Sequence, residues 1–191
     1  MSAVGEALRE SAIINLTGAV TMVVDDSAFS AEITSSALLG FGIKTRHSMR
    51  SAAEAIEVLR EIEVDLLVVD CEMPGMDGFE LVHWLRRSGP PNAFVPVIMT
   101  AAHIRRSMVA RARDCGANFI VTKPFSAASL LERIVWVARD SRPFLEVGDY
   151  FGPDRRFRVD QPPGEERRSD VLRRARFEAE KAAALAVEPA R

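Results

Sequence analysis

The chain has 191 residues, 48% of them apolar and 27% charged, and its 27 acidic and 25 basic side chains leave a net charge of −2. That length accommodates one domain of about 100–150 residues plus an extension, and two large domains would be cramped in it. The composition is that of a globular protein with a real core, and the near balance of charge gives no overall electrostatic reason to expect nucleic acid or an anionic membrane as a partner.

Residues 1–18 place Val4, Ala7, Leu8, Ala12 and Ile13 at rough helical spacing and read as a lead-in segment. Ala19 to Val24 is a short apolar run bounded by Asp25 and Asp26, which predicts a buried strand. Ser27 then opens a helix that closes near Gly40, a residue type suited to a C-terminal cap. Ile43 to His47 reads as a weak strand. Ser51 to Arg60 reads as a helix with Ala52, Ala55, Ile56 and Leu59 on one face, and Asp65 to Asp70 as a strongly apolar strand. After the turn Met73–Gly78, with Asp77 as N-cap, a helix runs to about Arg87 with Phe79, Val82 and Leu85 inward. Val95 to Thr100, His103 to Cys115, Asn118 to Thr122 and Ser126 to Ala138 continue the alternation. Five strand–helix pairs imply an α/β domain, a parallel sheet with helices on both faces, because parallel strands need crossover connections.

This domain spans 19–139. Residues 140–191 form a C-terminal extension. Its first part, to 168, is rich in proline and glycine and reads as irregular chain packing through Phe144, Tyr150, Phe151 and Phe157. Ser169 or Asp170 can cap a final helix, Val171 to about Val187. Cys71 and Cys115 have neither metal-binding nor redox spacing and suit a reducing compartment. With no apolar run near the length of about 20 residues needed to cross a bilayer, and no basic-then-apolar leader, the expectation is a cytoplasmic protein.

The polar residues fall where ligands of open parallel sheets bind, at the carboxyl ends of the strands. The first strand ends in Asp25-Asp26, the third in Asp70, the fourth in Thr100 and the fifth in Lys123. Three carboxylates in one place repel one another, and a hard divalent cation relieves this; oxygen ligands favour Mg2+ over zinc. Such a cation would polarise a phosphoryl group toward attack by Asp70, since aspartate can carry it as an acyl phosphate. Lys123 then supplies a charge for a phosphate oxygen and Thr100 a hydroxyl.

The strings Val23-Val24-Asp25-Asp26-Ser27 and Val68-Val69-Asp70-Cys71-Glu72-Met73-Pro74-Gly75-Met76-Asp77-Gly78, Thr100-Ala101, and Lys123-Pro124-Phe125 together resemble the receiver domain of two-component response regulators. The resemblance implies a flavodoxin-like doubly wound fold with strand order 2-1-3-4-5. It implies Asp70 as phosphoacceptor, Asp25, Asp26, Asp70 and the Glu72 backbone carbonyl as Mg2+ ligands, and Thr100, Ala101 and Lys123 as switch and phosphate-binding residues. It also implies a cis Lys123–Pro124 bond. Ile120 occupies the position where the family often has an aromatic switch residue, which puts the usual ring rotation in doubt and leaves activation to Thr100 with Ala101 and Ala102.

The function implied by the resemblance is that of a phosphorelay switch rather than an enzyme, whose own chemistry is uptake of a phosphoryl group and slow self-dephosphorylation. Its donor is a histidine kinase or histidine phosphotransfer protein. Its output partner is a protein at residues 103–138, with the 140–191 tail or a second copy of the chain as further contacts. The alternative is a DNA-binding regulator using the tail. Against it, Arg155-Arg156, Arg167-Arg168 and Arg173-Arg174 are interleaved with acidic residues, and the tail is short for a three-helix reader. A phosphatase of the haloacid-dehalogenase type would want Asp two residues after the nucleophile, where Glu72 stands. His47, His83 and His103 are isolated and read as surface residues, and Trp84 and Trp136 as packing residues.

Overall fold

The computed structural model describes residues 15–155. Most of the lead-in segment, Phe157, the last two arginine pairs and the final helix expected from Val171 lie outside the described residues.

Five parallel strands form the central sheet: β1 Val20–Val24, β2 Thr45–Met49, β3 Leu66–Asp70, β4 Val97–Ala101 and β5 Phe119–Thr122. Their order is β2-β1-β3-β4-β5. The connecting helices are α1 Ala28–Gly40, α2 Ala52–Leu59, α3 Gly78–Arg87, α4 Arg106–Cys115 and α5 Ala127–Ala138. This is the flavodoxin-like doubly wound fold, with a core on each face of the sheet. One core packs Met22, Val24, Leu67, Val69 and Met99 against α2, α3 and α4; the other packs Val23, Leu66, Val68 and Ile98 against α1 and α5. Successive strand residues point to opposite faces, and an apolar residue at nearly every central position serves both cores.

Local chemistry sets the helix starts. Ser27, Ser51 and Ser126 each accept a backbone N–H of the first turn, and Asp77 with Glu80 forms a reciprocal capping box on α3. Beyond α1 the left-handed glycine is Gly42, φ +91°, rather than Gly40. The second strand sits two residues later than expected, because Ile43 is buried beneath α1 before the strand begins.

Within the segment expected to be irregular, residues 144–153 are regular. Phe144–Val147 (β6) and Tyr150–Pro153 (β7) pair as an antiparallel hairpin whose two-residue turn is Gly148-Asp149, with Gly148 at φ +59°. Where the hairpin meets the domain, Arg86, 3% exposed, donates to the domain carbonyls of Gly116, Ala93 and Val95 at 3.0, 2.9 and 2.8 Å, and its guanidinium lies over the Phe144 ring of β6. Burial pulls the Arg86 guanidinium down to about 10, which still leaves it a cation at neutral pH. Phe94, Phe144 and Phe151 meet edge to face or tilted, and a Cβ on Gly152 would stand 2.8 Å from the Gly116 Cα, so two glycines let the hairpin approach closely.

Candidate phosphoryl and cation pocket

The strand register assembles the pocket. Val24 pairs with Val69, so Asp25 and Asp70 are the adjacent residues at the ends of β1 and β3, and Asp70 pairs directly with Thr100 on β4. Asp25, Asp26 and Asp70 bring carboxylate oxygens within 4.8 Å of one another. Asp25 and Asp70 are buried and Asp26 is exposed. Lys123, just past β5, reaches back across the sheet edge. Its ammonium donates to Asp25 Oδ2 at 2.7 Å and to Asp70 Oδ1 at 2.6 Å. The Lys123–Pro124 bond is cis.

Asp70 Oδ2 accepts the Glu72 N–H at 3.2 Å, and the Thr100 hydroxyl lies 3.4 Å from Asp70 Oδ1, a long contact with room to shorten. Burial pushes the Asp70 carboxyl above the ordinary aspartate value; the Lys123 hydrogen bond and charge oppose this without cancelling it, and the Asp25 charge adds to it. Burial alone would lower the Lys123 ammonium, but the hydrogen bonds and charges of Asp25 and Asp70 together hold it above the usual lysine value. Asp70 therefore stands in an environment that disfavours its anion, and an added cation would reverse that.

The donor set fits a hard divalent ion. One ammonium is shared by two of the three carboxylates, and the third, on Asp26, has no side-chain partner among the described residues. Oxygen ligands with one exposed member suit a cation that keeps some of its waters. Ala101 is buried beside Thr100, and Glu72 is exposed at the pocket rim. Ile120 packs toward the α2–α4 core, whereas Phe119 turns to the opposite face against Trp136 at 5.5 Å. Cys71 is buried below Asp70, and burial, reinforced by the Asp70 charge, pushes its thiol up to about 12, so it is no nucleophile at neutral pH.

Three residues to which the sequence assigned no role complete the pocket. The Ser30 hydroxyl donates to Asp25 Oδ2, and the Arg50 guanidinium donates to the Asp26 carbonyl oxygen. Gly78 packs on the backbone of Asp70 itself, its N–H donating to the Cys71 carbonyl at 3.1 Å. The only sequence signal for Gly78 was its place in the turn, and none marked Arg50. Asp77, expected as an N-cap, caps α3 and pairs with Arg111 at 2.7 Å.

A doubly wound sheet with acidic residues, a hydroxyl and a lysine converging at its carboxyl edge defines the receiver class of α/β protein. Comparison with known proteins agrees: the response regulator receiver domain family matches residues 21–135, and the chain belongs to that family. It is 29% identical over 113 residues to chemotaxis protein CheY-3 of Vibrio cholerae, covering 59% of this chain and 86% of that one. It is 37% identical over 118 residues to heme response regulator HssR of Staphylococcus epidermidis, covering 62% of this chain and half of that longer protein. The solved structure of Vibrio cholerae CheY4 superposes with a TM-score of 0.59 at 26% identity, covering 62% of this chain and 98% of that one.

Proposed function

We propose that the chain is a phosphorelay switch that accepts a phosphoryl group on Asp70. The observation that carries this reading is the Lys123 bridge between Asp25 and Asp70, which brings the acid cluster and the lysine to one point. In the transfer, an Asp70 carboxylate oxygen bonds to phosphorus as the bond from phosphorus to the donor imidazole nitrogen breaks. The electron pair leaves with that nitrogen, and the product is an acyl phosphate. Asp25, Asp26, Asp70 and the Glu72 carbonyl would hold Mg2+, which supplies charge neutralisation for the phosphoryl oxygens. Lys123 moves from Asp70 Oδ1 to a phosphoryl oxygen, and Thr100 closes its long contact toward the new group. The added charge shifts the domain between two arrangements, read by a protein partner over residues 103–138, with the 140–191 segment as a second contact. A histidine kinase or histidine phosphotransfer protein is the donor, and the cytoplasm is the compartment.

Incubation of the full chain with acetyl phosphate and Mg2+ should attach one phosphoryl group per chain, labile to hydroxylamine, and removal of the cation by chelation should stop the reaction. No uptake under these conditions would sink the reading.

The mouth of the pocket also suits a protein donor. Phe29 is 77% exposed and Ile33 48% exposed, one turn apart on α1 and immediately after the acidic pair. Exposed apolar side chains beside a reactive site are covered when a partner docks. Phe29→Asp should slow transfer from a phosphorylated histidine phosphotransfer protein by about 10-fold, the loss of one interface anchor, while labelling by acetyl phosphate continues. Equal slowing with both donors would contradict this docking.

A further inference from the structure

Ser30 lies in the first turn of α1. Its N–H is 3.3 Å from the Ser27 hydroxyl that caps the helix, and its own hydroxyl reaches back to Asp25 Oδ2 at 2.5 Å. A serine inside a helix ordinarily bonds to its own backbone or to solvent; this one is spent on a carboxylate of the pocket. Asp25 thus carries three donors: the Ser27 N–H on Oδ1 at 3.0 Å, and Lys123 at 2.7 Å with Ser30 on Oδ2. Both lone pairs of Oδ2 are occupied, and one on Oδ1 remains. Asp25 is 2% exposed, so water is poorly placed to replace a lost donor.

Lys123 cannot serve Asp25, Asp70 and an incoming phosphoryl group equally. When it turns to a phosphoryl oxygen, a buried carboxylate is left to be satisfied by what remains. We infer that Ser30 is a positioning residue of the pocket, whose hydroxyl fixes the Asp25 carboxylate, leaves Oδ1 as its oxygen for the cation and keeps Oδ2 satisfied when Lys123 moves away. This role for Ser30 rests on the reading of the pocket as a Mg2+ site. It ties α1, the helix that bears Phe29 and Ile33, to the cation by one hydrogen bond, because the residue that anchors Asp25 sits between them.

Groups that orient metal ligands typically account for 10- to 100-fold in affinity or rate when removed. Isothermal titration of Mg2+ into the full chain, without any phosphodonor, tests the idea on the wild type, Ser30→Ala and Ser30→Thr. Ser30→Ala should bind Mg2+ about 10-fold more weakly, and Ser30→Thr, which keeps the hydroxyl, should restore the affinity. With acetyl phosphate, Ser30→Ala should also label more slowly than wild type when Mg2+ is saturating, since Lys123 is then the only donor left on Asp25 Oδ2. Equal Mg2+ affinity in wild type and Ser30→Ala overturns the inference, and so does a Ser30→Thr chain as weak as Ser30→Ala. A wild type that binds no Mg2+ sinks instead the reading of the pocket on which the inference rests.

Discussion

Asp70→Asn is expected to abolish phosphoryl uptake from acetyl phosphate while leaving the chain folded. The amide oxygen is a poor nucleophile, and no acyl phosphate can form on it. The neighbouring carboxylates do not replace it: Asp25 is buried and held in place by Ser27, Ser30 and Lys123, and Asp26 stands out at the exposed rim. Asn is nearly isosteric and can still accept from Lys123, so the pocket keeps its shape. It also removes an anion that burial disfavours, so circular dichroism and the melting temperature should change little or improve. Retained uptake at the wild-type stoichiometry would mean that another group is the acceptor.

Gly78→Ala is expected to have the largest effect among substitutions that alter no polar group. A Cβ at this position would lie 2.0 Å from the Asp70 carbonyl oxygen, 2.9 Å from its carbonyl carbon and 3.1 Å from the Cys71 Cα. All three are backbone atoms at the end of a central strand, so no side-chain rotation relieves the clash, and either α3 or the end of β3 must move. Overpacking of this kind costs about 3 kcal/mol, at the upper end of its usual range, which lowers the melting temperature of a chain of this size by roughly 6–12 °C. Because the displaced backbone is that of Asp70, labelling should slow by about 100-fold, as expected for a shift near 1 Å in a reacting group. Thermal melts and initial labelling rates measure both effects. An alanine variant with wild-type melting and rate would show that the turn can yield without moving Asp70.

The central sheet and the pocket were legible in the sequence because the two signals were independent and agreed. Apolar runs such as Leu66–Val69 and Val97–Met99, short and rich in β-branched residues, read as strands buried on both faces, and the polar residues ended those runs at the same edge. Edge strand β2 was misplaced because its sequence, Thr-Arg-His-Ser-Met, is largely polar, and the apolar Ile43 ahead of it drew the expected strand forward. The β6–β7 hairpin was missed for the opposite reason. Its prolines and glycines read as breakers, although Val147-Gly148-Asp149-Tyr150 carries a two-residue turn signal. It docks through Phe144 beneath Arg86 and through the Phe94, Phe144 and Phe151 rings, tertiary contacts that periodicity cannot reveal. Ser30 and Arg50 escaped notice likewise, since each acts on the acidic pair through a contact that exists only once α1 and the end of β2 are in place.

The most direct test locates the phosphoryl group on the chain. Wild-type protein incubated with acetyl phosphate and Mg2+ and then reduced with borohydride converts an aspartyl phosphate to homoserine, which peptide mass spectrometry can place. Conversion is expected at position 70 alone and should be lost when Mg2+ is chelated; conversion at another carboxylate, or undiminished conversion in the presence of chelator, would refute Asp70 as the cation-assisted acceptor.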